Sequence, residues 1–342
     1  MEKPVILTGI RSNGELTLGN YLGAIKPLIK MQAMHAGEYQ INMFVPDLHS
    51  FTTPVEHNLL YENTLNNLKI FVASGLDINN SDTYIYRQSF ISSHTELTWI
   101  LDCFIYFGEL NRMTQFKEKS DGKESVSVGL FNYPALMTAD ILLYDAKYIP
   151  VGEDQRQHIE LARDVAIRIN NQFGSIFTIP EEWNQQLSFS NLHQGIRIRS
   201  LKHPEAKMSK SIDDPSGTIL LTDNPQDAAK KIMSATTDSL GHINYDFKLQ
   251  PGVSNLLQII ALLSDRTIEE VTIEWQNQTN YGELKKVAAD LVGSLLSELQ
   301  GKVKSIDQST ILDKLTQDEE SMRAVAAAKL YKIQQAVGLR QK

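Results

Sequence analysis

The chain has 342 residues, 42% of them hydrophobic, which suffices for one α/β domain plus a smaller second domain. Its formal charge of -8 excludes a protein that coats nucleic acid indiscriminately, while a local basic face could still meet a specific RNA. The lone Cys103 excludes internal disulfides and cysteine-based metal sites, and points to a reducing cytoplasm. The N-terminal residues lack the apolar core of an export signal, and no apolar run reaches the roughly 18 residues that a membrane span needs.

In chain order, residues 5–8 form an apolar run ending at Gly9, and a polar glycine-containing turn then leads into a helix over 19–36. Residues 41–45 read as a second strand, ending at Asp47-Leu48-His49. Helical spacing of Leu59, Leu60, Leu65, Leu68 and Val72 predicts a helix over 56–74. A third strand at 84–87 is followed by a helical region over 95–108. Helix over 133–144, strand over 148–151, helix over 153–170 and a short strand at 196–198 complete the first part. This alternation predicts a doubly wound, Rossmann-like parallel sheet. Beyond about residue 212 the texture becomes helical: 225–235, 254–263, 268–276, 281–303 and 318–337. The expected division is a catalytic domain, 1–212, and a smaller all-helical domain, 213–342, whose last helix is free to pack back on the catalytic domain.

Open parallel sheets bind ligands beyond the carboxyl ends of their strands, which selects the loops after Thr8, Val45, Arg87, Val151 and Ile198. The first, residues 9–20, combines glycines that permit close backbone approach with a helix start suited to an anion. An ordinary connector with Thr17 or Asn20 as helix cap explains it equally well. Lys207-Met208-Ser209-Lys210-Ser211 follows a predicted strand, and its two lysines, three residues apart, suit the β- and γ-phosphates of ATP. Asp140 interrupts a helix face of Leu136, Met137, Ile141 and Leu143, so a buried carboxylate there needs a donor.

The KMSKS stretch together with Thr17-Leu18-Gly19-Asn20 resembles the two signatures of class I aminoacyl-tRNA synthetases. GELNRMTQFKEKS, YPALMTADILLY and PVGEDQRQHIEL, between Gly108 and Leu161, closely resemble the bacterial tryptophanyl-tRNA synthetases, and the likeness covers nearly the whole chain. The resemblance implies an ATP-dependent ligase that forms tryptophanyl-adenylate, with magnesium accompanying ATP and no tightly bound protein-ligated metal. Its partners would be tRNA(Trp), with tryptophan passed to the 2'-OH of the terminal ribose, and a second copy of the chain, with no membrane or DNA. The apolar stretch 99–107 would suit that second copy, although core burial explains it equally well.

Residue by residue, the resemblance assigns catalysis to Thr17, Asn20, Lys207 and Lys210. ATP contacts fall on Arg11, Ser12, Asn13, Gly19, Asn20, Gly152, Glu153, Asp154, Ile198 and residues 207–211, namely Lys207, Met208, Ser209, Lys210 and Ser211. Tryptophan contacts fall on Leu7, Gly9, His49, Tyr133, Met137, Asp140, Val151 and Gln155, with Asp140 meeting the indole N–H. Gln115, Lys117 and Lys119 resemble a mobile segment that touches ATP. Bacterial relatives usually carry Gln-Pro-Ser where this chain has Arg11-Ser12-Asn13, which puts a fixed positive charge beside the nucleotide. The alternatives are a tyrosine-specific synthetase, a non-catalytic RNA-binding relative, and a nucleotidyltransferase acting on a small cofactor. The last would not need the helices that follow the lysine loop.

Overall fold

The computed structural model describes residues 3–52, 55–190, 197–208 and 214–341. Four strands, β1 (Val5–Gly9), β2 (Gln40–Val45), β3 (Thr83–Arg87) and β4 (Ala146–Tyr148), form one parallel sheet in the order β3-β2-β1-β4. The chain leaves β1 toward β2 on one side and adds β4 on the other. A crevice therefore opens between the carboxyl ends of β1 and β4, where such sheets take ligands. Both faces of β1 are covered: Ile6 enters one apolar cluster and Leu7 the other, and neither is more than 1% exposed.

Helix α1 (Leu18–Asn20) runs through one π-helical stretch, Tyr21–Ile25, into α2 (Lys26–His35). Helix α3 (Leu60–Ala73) follows β2, and α4 (Ser93–Asp102) follows β3. The predicted single helix over 95–108 is broken after Asp102 and resumes as α5 (Phe107–Asn111), whose start is capped when Glu109 accepts the N–H of Tyr106 at 2.8 Å. Gln115, Lys117 and Lys119, which resemble a mobile ATP-contacting segment, lie on α6 (Thr114–Ser120). Then come α7 (Val128–Leu142), α8 (Arg156–Phe173) and α9 (Trp183–Ser190).

Two predicted strands fall elsewhere. The one expected at 148–151 lies at Ala146–Tyr148, because the N–H of Ile149 goes to the Gln186 side chain at 2.8 Å and Pro150 has none to give. The one expected at 196–198 does not join the sheet, and its residue 196 lies outside the described residues. Instead Ile198 accepts from the N–H of Met208 at 2.9 Å, and Asn255 grips both backbone groups of Arg199, at 2.9 and 3.0 Å, taking the bonds that a neighbouring strand would use.

The remaining helices are α10 (Pro225–Met233), α11 (Pro251–Leu263), α12 (Ile268–Trp275), α13 (Tyr281–Ser305) and α14 (Gln308–Ala336). Helix α14 returns to the edge of the sheet. Its Asp318 accepts the N–H of Ile85 at 2.7 Å and its Glu319 that of Arg87 at 3.2 Å, while Lys314 donates to the Thr83 carbonyl at 2.9 Å. The outward hydrogen-bonding groups of edge strand β3 are thereby covered by side chains of one helix.

Candidate active site

The loop after β1 is held from beneath by α3. Asn67 donates to the carbonyls of Arg11 and Gly14 at 3.1 and 3.2 Å, and Thr64 donates to that of Ser12 at 3.1 Å. The Ser12 hydroxyl is buried against that of Ser50 at 2.5 Å, so the side chain of this expected nucleotide contact already has a partner within the protein. Gly14 sits at a positive φ of 68°, which lets the loop turn back toward the helix start.

At that start Thr17 and Asn20 bond to each other. Thr17 Oγ1 accepts the N–H of Asn20 at 3.2 Å, while Asn20 Oδ1 accepts from the N–H and hydroxyl of Thr17 at 3.0 and 3.1 Å. The capping reading of the pair therefore holds, and the Asn20 amide still has N–H groups to donate. Arg11 lies alongside, with Nε donating to the Asn13 carbonyl at 3.0 Å and a terminal nitrogen 3.4 Å from Asn20 Oδ1. Its guanidinium brings positive charge to the helix start.

The lysine stretch meets this loop directly. A β-carbon on Gly19 would stand 3.6 Å from Ile198 and 3.7 Å from Met208. Downstream, Leu18 N–H donates to the Ile219 carbonyl at 2.9 Å, and Leu221 N–H donates to that of Leu16 at 2.8 Å. Ile198 and Met208 are buried, whereas Lys207 is exposed. Ser209, Lys210 and Ser211 lie outside the described residues.

The other half of the site is built on α7, where Tyr133, Met137 and Asp140 follow one another along one face. Asp140 is fully buried. Its Oδ2 accepts from His49 Nε2 at 2.8 Å, and its Oδ1 from Gln88 Nε2 at 2.7 Å and His94 Nδ1 at 2.6 Å. Burial pushes the carboxyl up, but the bonds from the two imidazoles outweigh it and hold Asp140 down to about 2. It is therefore an ionised acceptor whose protein donors are present before any ligand arrives. Gln88 and His94 were missed from sequence. Gln88 is the first residue after β3, in one of the loops that the sheet singles out, but His94 carries no local mark.

Around this carboxylate, His49 and Tyr133 meet edge to face at 6.1 Å, and Tyr133 shares a 2.9 Å bond with His158 Nε2. Burial and nearby Lys119 push His158 down to about 4, and burial raises Tyr133 to about 12. Lys119 of α6 stands 5.3 Å over the Tyr133 ring. Leu7 is buried in the apolar cluster against which Val151 packs, and Gly9 ends β1. Asp47 braces the β2 and β3 ends by accepting from the N–H of Ser89 at 2.9 Å.

Gly152, Glu153, Asp154 and Gln155 form the turn that opens α8 on the far side of the crevice. Gln155 Nε2 donates to Asp154 at 2.8 Å. Glu153 is engaged by Trp183 Nε1 at 3.1 Å, a partner that the sequence did not suggest.

Comparison with known proteins follows the same lines. The chain matches the family described as tRNA synthetases class I (W and Y) over residues 1–305. It is 44% identical over 334 residues to the tryptophan–tRNA ligase of Caldanaerobacter subterraneus subsp. tengcongensis, covering 98% of each chain. The solved tryptophanyl-tRNA synthetase of Mycoplasma pneumoniae is 33% identical with a TM-score of 0.83, covering 99% of both chains. That of Campylobacter jejuni, solved with ADP and tryptophan, is 32% identical with a TM-score of 0.78, covering 98% of this chain and 99% of that one.

Proposed function

The chain belongs to the class I tRNA synthetases of the W and Y family, and from that premise we infer that it acts as an ATP-dependent tryptophan–tRNA ligase. It activates L-tryptophan with ATP to the adenylate and pyrophosphate, then passes tryptophan to the terminal ribose 2'-OH of tRNA(Trp). The observation that carries the amino acid assignment is the buried, ionised Asp140 on the Tyr133–Met137 face of α7. Its Oδ2 accepts one bond, from His49, and keeps capacity for the indole N–H. A ring without that N–H forfeits the bond, so discrimination against it is strong. Leu7, Gly9 and Val151 border the ring, and Gln155 orients the amino acid's polar end.

The nucleotide lies across the start of α1. Arg11, Asn13, the Asn20 amide and the backbone at Ser12 and Gly19 receive phosphate oxygens, while Thr17 keeps Asn20 in place through the cap. Gly152, Glu153 and Asp154 face the ribose, and Ile198 and Met208 the base. The amino acid carboxylate attacks the α-phosphate in line, and Lys207 and Lys210, with the hydroxyls of Ser209 and Ser211, offset charge moving onto departing pyrophosphate. The protein groups at the phosphate end are cationic and amide donors, which suits magnesium carried on the nucleotide. Magnesium carried in that way would supply shielding of the phosphate charge.

Residues 1–212 form the catalytic part, and the helices of 213–342 read the tRNA by stacking and base-edge contacts, with Lys285, Lys286, Lys302 and Lys304 as phosphate contacts. Trp99, Tyr106 and Phe107, each more than 60% exposed, form an apolar surface for a second copy of the chain. Among the described residues no helix is long and apolar enough to cross a membrane. The deciding experiment is exchange of labelled pyrophosphate into ATP with tryptophan and with tyrosine, followed by charging of purified tRNA. Exchange that runs with tyrosine as readily as with tryptophan refutes the assignment.

A further inference from the structure

We propose that His94, acting with Gln88, is the positioning group that fixes Asp140 as an acceptor with spare hydrogen-bonding capacity on one oxygen only, and so sets the demand for a ring N–H in the amino acid. The proposal rests on the reading of Asp140 as the indole's partner and assigns part of that selectivity to a residue that never touches substrate.

The geometry leaves His94 little other purpose. It lies in the first turn of α4, fully buried, with Nδ1 2.6 Å from Asp140 Oδ1 and Nε2 2.9 Å from the Tyr144 hydroxyl. An ionised Asp140 needs a donor, so Nδ1 carries the hydrogen and Nε2 accepts the O–H of Tyr144. The imidazole is packed among Phe44, Tyr86 and Tyr144, with ring centroids 5.4 to 6.4 Å away, which blocks its rotation.

Gln88 takes the second acceptor position of Oδ1 at 2.7 Å, while its own carbonyl oxygen is buried without a partner among the described residues. Turning that amide over would set its carbonyl against a carboxylate. Its orientation thus serves Asp140 at the expense of its own oxygen. With Oδ1 saturated from behind, only Oδ2, which shares its capacity with His49, can answer a ligand. A carboxylate held this way cannot swap its oxygens, and in its ionised form it has no hydrogen to donate. It rewards an N–H and leaves a ring without one unpaired.

The test uses ATP–pyrophosphate exchange on the full chain with two amino acids: tryptophan, and an isosteric analogue carrying sulfur in place of the ring N–H. His94→Phe is expected to raise KM for tryptophan about tenfold and to narrow discrimination against the analogue about tenfold, with KM for ATP within about twofold. His94→Asn, which restores an N–H near the position of Nδ1, is expected to recover most of both. The His94→Phe tryptophan KM is also expected to rise more steeply on the acid side than that of the wild type, since Asp140 has lost a donor that keeps it charged.

Tyr144→Phe, which leaves His94 in place but removes the hydroxyl that fixes its tautomer, is expected to give an intermediate loss of about threefold. Folded His94→Phe with tryptophan KM and discrimination both within about twofold of wild type overturns the proposal. Should that variant not fold, an unchanged Tyr144→Phe does so. Asp140→Ala separates the two readings: if it harms tryptophan use while the His94 and Tyr144 variants are silent, only the positioning role falls. If Asp140→Ala is itself silent, the Asp140 reading falls and takes this one with it.

Discussion

Truncating Glu319 tests whether α14 is fastened to the catalytic sheet by charge. The Glu319 carboxylate grips Arg87 at 2.6 and 2.9 Å and also accepts the Arg87 backbone N–H at 3.2 Å, with both side chains no more than 6% exposed. Glu319→Ala would strand a buried guanidinium and an edge-strand N–H together. Removing one partner of such a pair costs about 3 to 5 kcal/mol, most of it the penalty of the charge left behind. The guanidinium stacks 3.5 Å from the Phe90 ring centroid, which limits its escape toward water and favours the upper part of that range. Replacing both members with apolar residues of similar size, Arg87→Met with Glu319→Leu, removes the stranded charge and should recover most of the loss. Urea unfolding gives the free energies, and hydrogen exchange at the Ile85 and Arg87 amides reports whether the strand edge has opened. A Glu319→Ala loss below about 1 kcal/mol, or a double variant no more stable than the single, would refute the reasoning.

The buried His158, held down to about 4, favours the folded state fully above its unfolded value of about 6.5, and this contribution is lost as pH falls through about 4. The span corresponds to about 3 kcal/mol, so His158→Gln should flatten unfolding free energy across that window, and an unchanged slope would contradict it. Asp140→Ala should impair tryptophan use far more than ATP use in pyrophosphate exchange, and equal damage to both would remove its recognition role. Arg11→Gln should retain measurable exchange with a raised KM for ATP, whereas complete loss would make the guanidinium essential. Trp99→Glu combined with Phe107→Glu should yield monomers by light scattering, and an unaltered mass would move the subunit contact elsewhere.

What the sequence conveyed depended on how far apart the cooperating residues lie. Strands β1 and β2 announce themselves because most of their positions are apolar and buried, and the long helices α13 and α14 because their period is sustained. The Thr17–Asn20 cap was readable within four residues, and the structure realises it through reciprocal bonds. Two donors of Asp140 were not readable, since Gln88 lies 52 positions away and His94 46, and nothing local distinguishes a histidine that orients a carboxylate from one that fills a core. The strand expected at 196–198 failed for a related reason: its alternation was visible, but the side chain that takes its pairing bonds, Asn255, sits 56 residues on. The same consideration gives the sheet's switch point its weight. A long-range donor network can act on a ligand only where backbone geometry has already opened a crevice, and here that crevice lies past the carboxyl ends of β1 and β4. Selectivity built this way resists being read from a motif, because the motif supplies the carboxylate while distant residues decide which of its oxygens remains to be used.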